Sequence, residues 1–174
     1  MELTPTELTV LGLVIEHPRH GYDLEQVIEQ RGIRRWTDIG FSSIYYVLSK
    51  LEKRGLVEAD GAVAGAKARR VVRATPEGRR VAREAVSALI VDPRPAPQPF
   101  LVGVANLALL APGSYADALS ARLSALEARI AGVREALRAQ QPLPPAADEV
   151  FSYSLALLEA ERAWLAERVG ATDD

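Results

Sequence analysis

The chain has 174 residues, 25% of them charged and 48% apolar, with a formal net charge of −2, two histidines and no cysteine. A composition of that kind folds into one or two small domains with a real core, and the lack of cysteine excludes a disulfide framework, a cysteine zinc site and thiol chemistry. The longest apolar run, residues 100–111, contains Asn106 and is too short to cross a bilayer.

In chain order, Thr4-Pro5 with Glu7 three residues after Thr4 has capping-box spacing and opens a first helix. Leu8, Leu11 and Ile15 are its predicted buried stripe, with Val10 and Val14 beside them, and Gly12 predicts the close approach of a neighbouring helix. Residues 22–31 form a second helix, apolar at Leu24, Val27 and Ile28 and stopped by Gly32. Trp36, Ile39 and Phe41 are expected to anchor the following turn, with Gly40 at a bend.

The stretch 42–57 is the most informative. At about 100° per residue from Ile44, the side chains of Ile44, Val47, Leu48 and Leu51 share one stripe. Ser42, Tyr46, Ser49, Lys50 and Lys53 fall opposite. Hydroxyls, a phenol and ammonium groups suit a helix lying in a DNA major groove, where such groups meet base edges and phosphates. After Gly55, Val57-Glu58-Ala59 reads as a short strand, residues 60–69 with Gly61 and Gly65 as a turn, and residues 70–74 as a returning strand. Thr75 then caps a fourth helix with Pro76 at its first position. That helix reaches about Ile90, with Val81, Ala82, Ala85, Val86 and Leu89 inward. Helix, hairpin, helix is the order of a winged helix-turn-helix, and Lys67, Arg69, Arg70 and Arg73 give its hairpin a charge suited to lying along phosphates.

Four prolines between residues 92 and 99 predict a stiff extended linker. The expected organisation is a DNA-binding domain over 1–91, the linker over 92–99, and a helical dimerisation and effector-binding domain over 100–174. The fold class is thus mainly α with a small β-hairpin. Residues 101–110 are apolar nearly all round and are expected to be buried on several sides. Leu119, Leu123, Leu126, Ile130, Val133 and Leu137 alternate gaps of four and three, a heptad seam. Residues 141–145 make a turn. A last helix over about 146–169 has two stripes, Val150, Tyr153, Leu157 and Trp164 on one side and Phe151, Leu155, Leu158 and Leu165 on the other. Two stripes imply two neighbours, and a partner subunit is the economical second one, with the seam and Trp164 as candidate dimer contacts. The competing arrangement is a monomeric bundle packed back on the first domain.

Charge supports the division of labour. Residues 1–90 hold 14 basic and 12 acidic side chains, and residues 91–174 hold 7 and 11. The local field, not the whole-chain sum, decides where DNA docks. Residues 1–16 lack a basic start and hold three acids, so no secretory leader is expected and the expected compartment is the cytoplasm, with no membrane partner. No Ser-His-acid set, nucleophile elbow or phosphate loop is present, so neither an enzyme activity nor a cofactor is expected. His17, His20 and Asp23 lack the repeat of a metal site, and His20 is expected to buttress the second helix.

The segments Leu3-Thr4 to Glu7, Val10-Leu11-Gly12-Leu13, Pro18-Arg19-His20-Gly21-Tyr22-Asp23-Leu24, Ser43-Ile44-Tyr45-Tyr46-Val47-Leu48, Leu51 to Val57 and Thr75-Pro76-Glu77-Gly78-Arg79, in that order, resemble the PadR family of bacterial transcriptional regulators. The second half, with its Glu161-Arg162-Ala163-Trp164-Leu165 ending, is similar to the helical C-terminal domain of the family's long subgroup. The resemblance implies a homodimeric repressor that binds a palindromic double-stranded operator and is released by an effector. It places Tyr22, Ser43, Tyr45 and Tyr46 toward DNA and Lys67 and Arg69 at the wing. Val72 departs from it, standing where family members commonly have Tyr. Tyr45 flanks the groove face and packing under the wing is its alternative. The effector classes implied are phenolic acids and hydrophobic drugs. Phe100, Tyr115, Phe151, Tyr153 and Trp164 are the candidate pocket aromatics, each equally at home in a core. The competing function is a winged-helix module that binds protein; it is discriminated by whether Lys67, Arg69, Arg70, Tyr46 and Lys50 share one exposed face.

Overall fold

A computed structural model of the chain describes residues 2–40, 43–59, 70–94 and 98–170. Phe41, Ser42, Lys67 and Arg69 lie outside the described residues. The chain divides into two compact units, Met1–Pro95 and Ala96–Asp174.

The first unit contains α1 (Pro5–Glu16), α2 (Gly21–Gln30), a 3-10 turn (Ile33–Arg35), α3 (Ser43–Lys53), β1 (Val57–Ala59), β2 (Val72–Ala74) and α4 (Pro76–Val91). The Thr4 hydroxyl accepts the Glu7 N–H at 3.2 Å and the Glu7 carboxylate accepts the Thr4 N–H at 2.9 Å, closing the capping box of α1. The His20 N–H donates to Asp23 Oδ2 at 3.3 Å and opens α2. The strands are antiparallel, pairing Val57 with Ala74, Glu58 with Arg73 and Ala59 with Val72. The return strand is therefore shorter than residues 70–74. Arg19 adds an unexpected third extended segment: its N–H donates to the Val72 carbonyl at 3.2 Å and its carbonyl accepts the Val72 N–H at 2.8 Å. Val72, the residue at which the chain departs from the pattern it resembles, is buried and packs in the core.

The core of this unit is built by Val10, Leu11 and Val14 from α1, Leu24 and Ile28 from α2, Ile44, Val47, Leu48 and Leu51 from α3, Leu56, Val57 and Val72 from the hairpin, and Val81 and Ala82 from α4. Several expectations are corrected. Leu8 and Ile15 are only partly buried, because α1 turns Val10, Leu11 and Val14 to the core instead. Gly12 meets no close neighbour; a Cβ there would find nothing within 4 Å. Ile39 anchors the turn before α3, but Trp36 is 52% exposed. Val86 and Leu89 are exposed, because α1 and α4 leave open space between them: Val86 lines a groove with Leu8, Gly12 and Ile15, and Leu89 borders residues 2–5.

The second unit contains α5 (Pro99–Ala105), a 3-10 turn (Leu107–Leu109), α6 (Ser114–Ala139) and α7 (Pro145–Gly170). The long pair α6 and α7 makes a hairpin with Leu119, Leu126, Ile130, Leu158 and Leu165 buried between them and Leu123, Val133 and Leu155 at the margin. Ion pairs Arg122–Glu161 and Arg134–Glu159 cross the same seam. The expected burial of residues 101–110 is overturned: Leu101, Val102, Leu109 and Leu110 are all exposed, while Phe100, just before them, is the side chain that packs against the α6–α7 core.

Candidate nucleic-acid interface

Helices α2 and α3 with the hairpin form the candidate surface. α3 spends Ile44, Val47, Leu48 and Leu51 on the core, and this fixes the opposite side outward. Gly55 (φ +68°) takes the left-handed conformation that lets the chain leave α3 and enter β1 at once. Thr75 locks the far end of the hairpin. Its hydroxyl donates to the Gly55 carbonyl at 2.7 Å and accepts the Gly78 N–H at 3.0 Å, while its own N–H donates to the Leu56 carbonyl at 3.1 Å. The recognition helix, hairpin and α4 therefore share one joint.

On that frame Tyr46 is 70% exposed and Tyr22 is 61% exposed. Large aromatics left in water on both helices of a helix-turn-helix are the feature that core packing does not explain. Ser49 and Lys53 are exposed on the same side of α3 as Tyr46. The Ser43 hydroxyl donates to the Gly40 carbonyl at 2.6 Å, closing the start of the helix. Tyr45 packs toward α2: a Cβ on Gly21 would stand 2.6 Å from its Cε1, so the absent side chain at Gly21 makes the seat for this ring. Arg73 is exposed on the outer face of β2.

Two of the expected cations are engaged within the protein. Arg70 Nη2 pairs with Glu52 Oε1 at 2.9 Å. Lys50 Nζ pairs with Glu7 Oε1 at 2.7 Å, and Arg54 Nη1 reaches Glu7 Oε2 at 3.2 Å. Glu7 is the one charged residue buried among the described residues. Burial alone would raise its pKa, but the hydrogen bonds from Lys50 and from the Thr4 N–H, with the charges of Lys50 and Arg54, outweigh it and hold the carboxyl below its ordinary value. Sequence reasoning missed this cluster. The capping-box position marks Glu7 as a helix start, and nothing local signals partners more than forty residues away.

Between α1 and α4 lies a groove of about 420 Å³, lined by Leu8, Gly12, Ile15, Ala82 and Val86 with Arg79 and Arg83 among them. In the second unit Phe100 meets Trp164 edge to face at 5.7 Å, and Arg122 and Arg168 lie over the Phe100 and Trp164 rings at 4.0 and 3.7 Å. Tyr115 packs against the same cluster. Phe151 is half-buried and Tyr153 is exposed. Tyr153 shares an exposed stripe of α7 with Val150 and Leu157, whereas Trp164, expected on that stripe, faces Phe100. The heptad seam is covered by α7; Leu137, at its end, is half-buried. Among the described residues no group of histidine and carboxylate side chains is placed to hold a metal ion, and no helix is long and apolar enough to cross a membrane.

A short helical domain whose third helix shows a polar face and runs into a β-hairpin is a winged helix-turn-helix. Residues 10–84 match the transcriptional regulator PadR-like family, and this part of the chain is a PadR-like domain. The whole chain is similar in fold to Bacillus subtilis PadR in complex with operator DNA (16% identity, TM-score 0.77, covering 97% of this chain and 99% of that one). The same protein in complex with p-coumaric acid matches at 17% identity with TM-score 0.77, covering 97% and 98%. A PadR-like transcriptional regulator from Bacillus cereus matches at 19% identity with TM-score 0.72, covering 96% and 97%. No curated protein matches the sequence.

Proposed function

We propose that the protein is a homodimeric transcriptional repressor that binds a palindromic DNA operator through α3, α2 and the hairpin and is released by a small hydrophobic acid. The observation that carries the DNA reading is the pair Tyr22 and Tyr46, exposed on the two helices of the helix-turn-helix while the opposite face of α3 is sealed in the core. Phenols there reach base edges and phosphates without any change in the fold. The crystal structure of Bacillus subtilis PadR with operator DNA supports the same use of this fold.

Dimerisation follows from two considerations. A palindromic operator is matched by a two-fold protein. The second unit also leaves Val150, Tyr153 and Leu157 exposed along α7 after α6 has covered the other stripe. The effector class is supported by the α1–α4 groove, whose apolar wall and Arg79 and Arg83 suit a molecule with an apolar body and one carboxylate.

The test is fluorescence anisotropy on DNA from upstream of the protein's own gene against a scrambled duplex, at two salt concentrations. Preferential, salt-sensitive binding with two chains per site is expected, and Tyr46→Ala and Tyr22→Ala each weaken it about tenfold, or about 1.4 kcal/mol, without lowering the melting temperature. Equal binding of wild type and both variants overturns the assignment of this face. Addition of a phenolic acid releases the DNA, and Arg79→Met with Arg83→Met loses that response.

A further inference from the structure

Lys50 looks like a DNA ligand in the sequence. On the helical wheel it lies only about 40° from Tyr46, and the residue one turn earlier on its side is that exposed phenol. The structure gives it a different partner. Its ammonium sits 2.7 Å from Oε1 of Glu7, a carboxylate only 2% exposed, on a different helix.

The local geometry makes this pair hard to open. Glu7 Oε2 already accepts the Thr4 N–H at 2.9 Å and Arg54 Nη1 at 3.2 Å, and Arg54 Nη2 donates to the Glu2 carbonyl at 3.2 Å. Arg54 is tied down on both sides, so Lys50 is the cation that stands against Oε1. Moving Lys50 onto a phosphate would strip a buried carboxylate of a cation, and a buried charge that loses its partner is strongly destabilising. Lys53, three residues on, is exposed on the other side of Tyr46.

We propose that Glu7 is an internal counter-ion that withholds Lys50 from DNA, so that α3 offers nucleic acid its phenol, its hydroxyls and Lys53 with one cation fewer than its sequence displays. The inference rests on the DNA-binding reading above. Its consequence is for selectivity. Lysine–phosphate contacts supply affinity without sequence information, so removing one lowers non-specific retention and leaves base reading to the groups around Tyr46. Glu7 acts through Lys50 and touches no base or phosphate; it is a positioning residue.

The salt slope of binding counts phosphate contacts, at about 0.9 per contact, so one contact alters the affinity lost between about 50 and 200 mM salt by about 3.5-fold. Slopes are measured on the scrambled duplex and on the upstream DNA for wild type, Lys50→Met, Glu7→Gln and the double variant. Lys50→Met leaves the slope unchanged. Glu7→Gln frees Lys50 and steepens the slope by about 0.9, and the double variant returns it to the wild-type value. A purely structural loss would weaken binding at every salt concentration with no change in slope. A slope flattened by Lys50→Met alone places Lys50 on a phosphate and overturns the proposal, and so does a folded Glu7→Gln protein with the wild-type slope. Should either single variant fail to fold, the double variant, which removes the buried carboxylate together with its lysine, is compared with wild type: an equal slope is expected, and a slope flattened by about 0.9 overturns the proposal. Loss of all salt-dependent binding in wild type overturns the DNA reading itself, an outcome distinct from either.

Discussion

Replacing Gly78 with alanine tests the joint that holds the hairpin against α4. A Cβ at Gly78 would lie 2.0 Å from the Leu56 carbonyl oxygen and 2.9 Å from its carbonyl carbon. Carbon–oxygen contacts settle near about 3.3 Å, so the two backbone segments must part by more than about 1 Å. That parting breaks the Thr75 N–H to Leu56 carbonyl bond and the Thr75 hydroxyl to Gly55 carbonyl bond, at 3.1 and 2.7 Å. Two hydrogen bonds at about 1 kcal/mol each, with overpacking strain of about 1–3 kcal/mol, oppose a helix-propensity gain of about 1 kcal/mol. The net expectation is a loss of about 2–4 kcal/mol. Urea unfolding in a Trp164→Phe background reads it, because Trp36 then reports the first unit alone. Gly12→Ala is the control: its Cβ meets nothing within 4 Å, so only the propensity gain acts, up to about 1 kcal/mol of added stability. An unchanged or raised midpoint for Gly78→Ala would refute the close approach.

Other consequences are independent of that joint. The depressed pKa of Glu7 means its contribution to stability is present above the ordinary carboxylate value of 4.5 and is lost as pH falls through the lowered folded value. Wild-type and Glu7→Gln melting temperatures therefore converge in acid; a gap constant from neutral pH to about pH 3 contradicts this. Leu165 is fully buried between α6 and α7, so Leu165→Ala destabilises the second unit by about 2–5 kcal/mol while the Trp36 transition stays in place. If the proposed dimer uses the exposed stripe of α7, Tyr153→Glu with Leu157→Glu yields a monomer in sedimentation without loss of helix content, since both side chains are exposed in the single chain; a dimer that survives moves the interface elsewhere.

The sequence was most legible where one periodicity decides the outcome. The four-residue stripe of α3, the strand at Val57–Ala59 and the Thr75 cap all follow from neighbours in the chain. Legibility failed where distance in the chain is large or where burial depends on a second surface. Hydrophobic residues at 101–110 imply burial only if something covers them, and among the described residues nothing covers Leu101, Val102, Leu109 or Leu110. Gly12 reads as a close approach and is open, whereas Gly78, within the Thr75-Pro76-Glu77-Gly78 motif, has no room for a Cβ against the Leu56 carbonyl. Lys50 and Arg70 were legible as cations and illegible as partners of Glu7 and Glu52, because ion pairs are set by tertiary approach and not by helical spacing.

The segments that carry the family resemblance prove to be mainly joints. Gly55 turns α3 into β1, Thr75 clamps both ends of the hairpin, Gly78 admits the Leu56 carbonyl, and Gly21 seats Tyr45. None of these groups needs to touch DNA, yet together they fix the angle between α2, α3 and the hairpin, which decides whether three separate elements can meet one stretch of duplex. On the proposed DNA face the chemistry of contact then rests on a thin layer: two exposed phenols, hydroxyls, and cations other than those that Glu7 and Glu52 engage. A binder built this way depends on fit more than on charge. For such a protein a change at the joint weakens operator binding more than the loss of any one surface cation. Specificity should then survive moderate salt better than total affinity does.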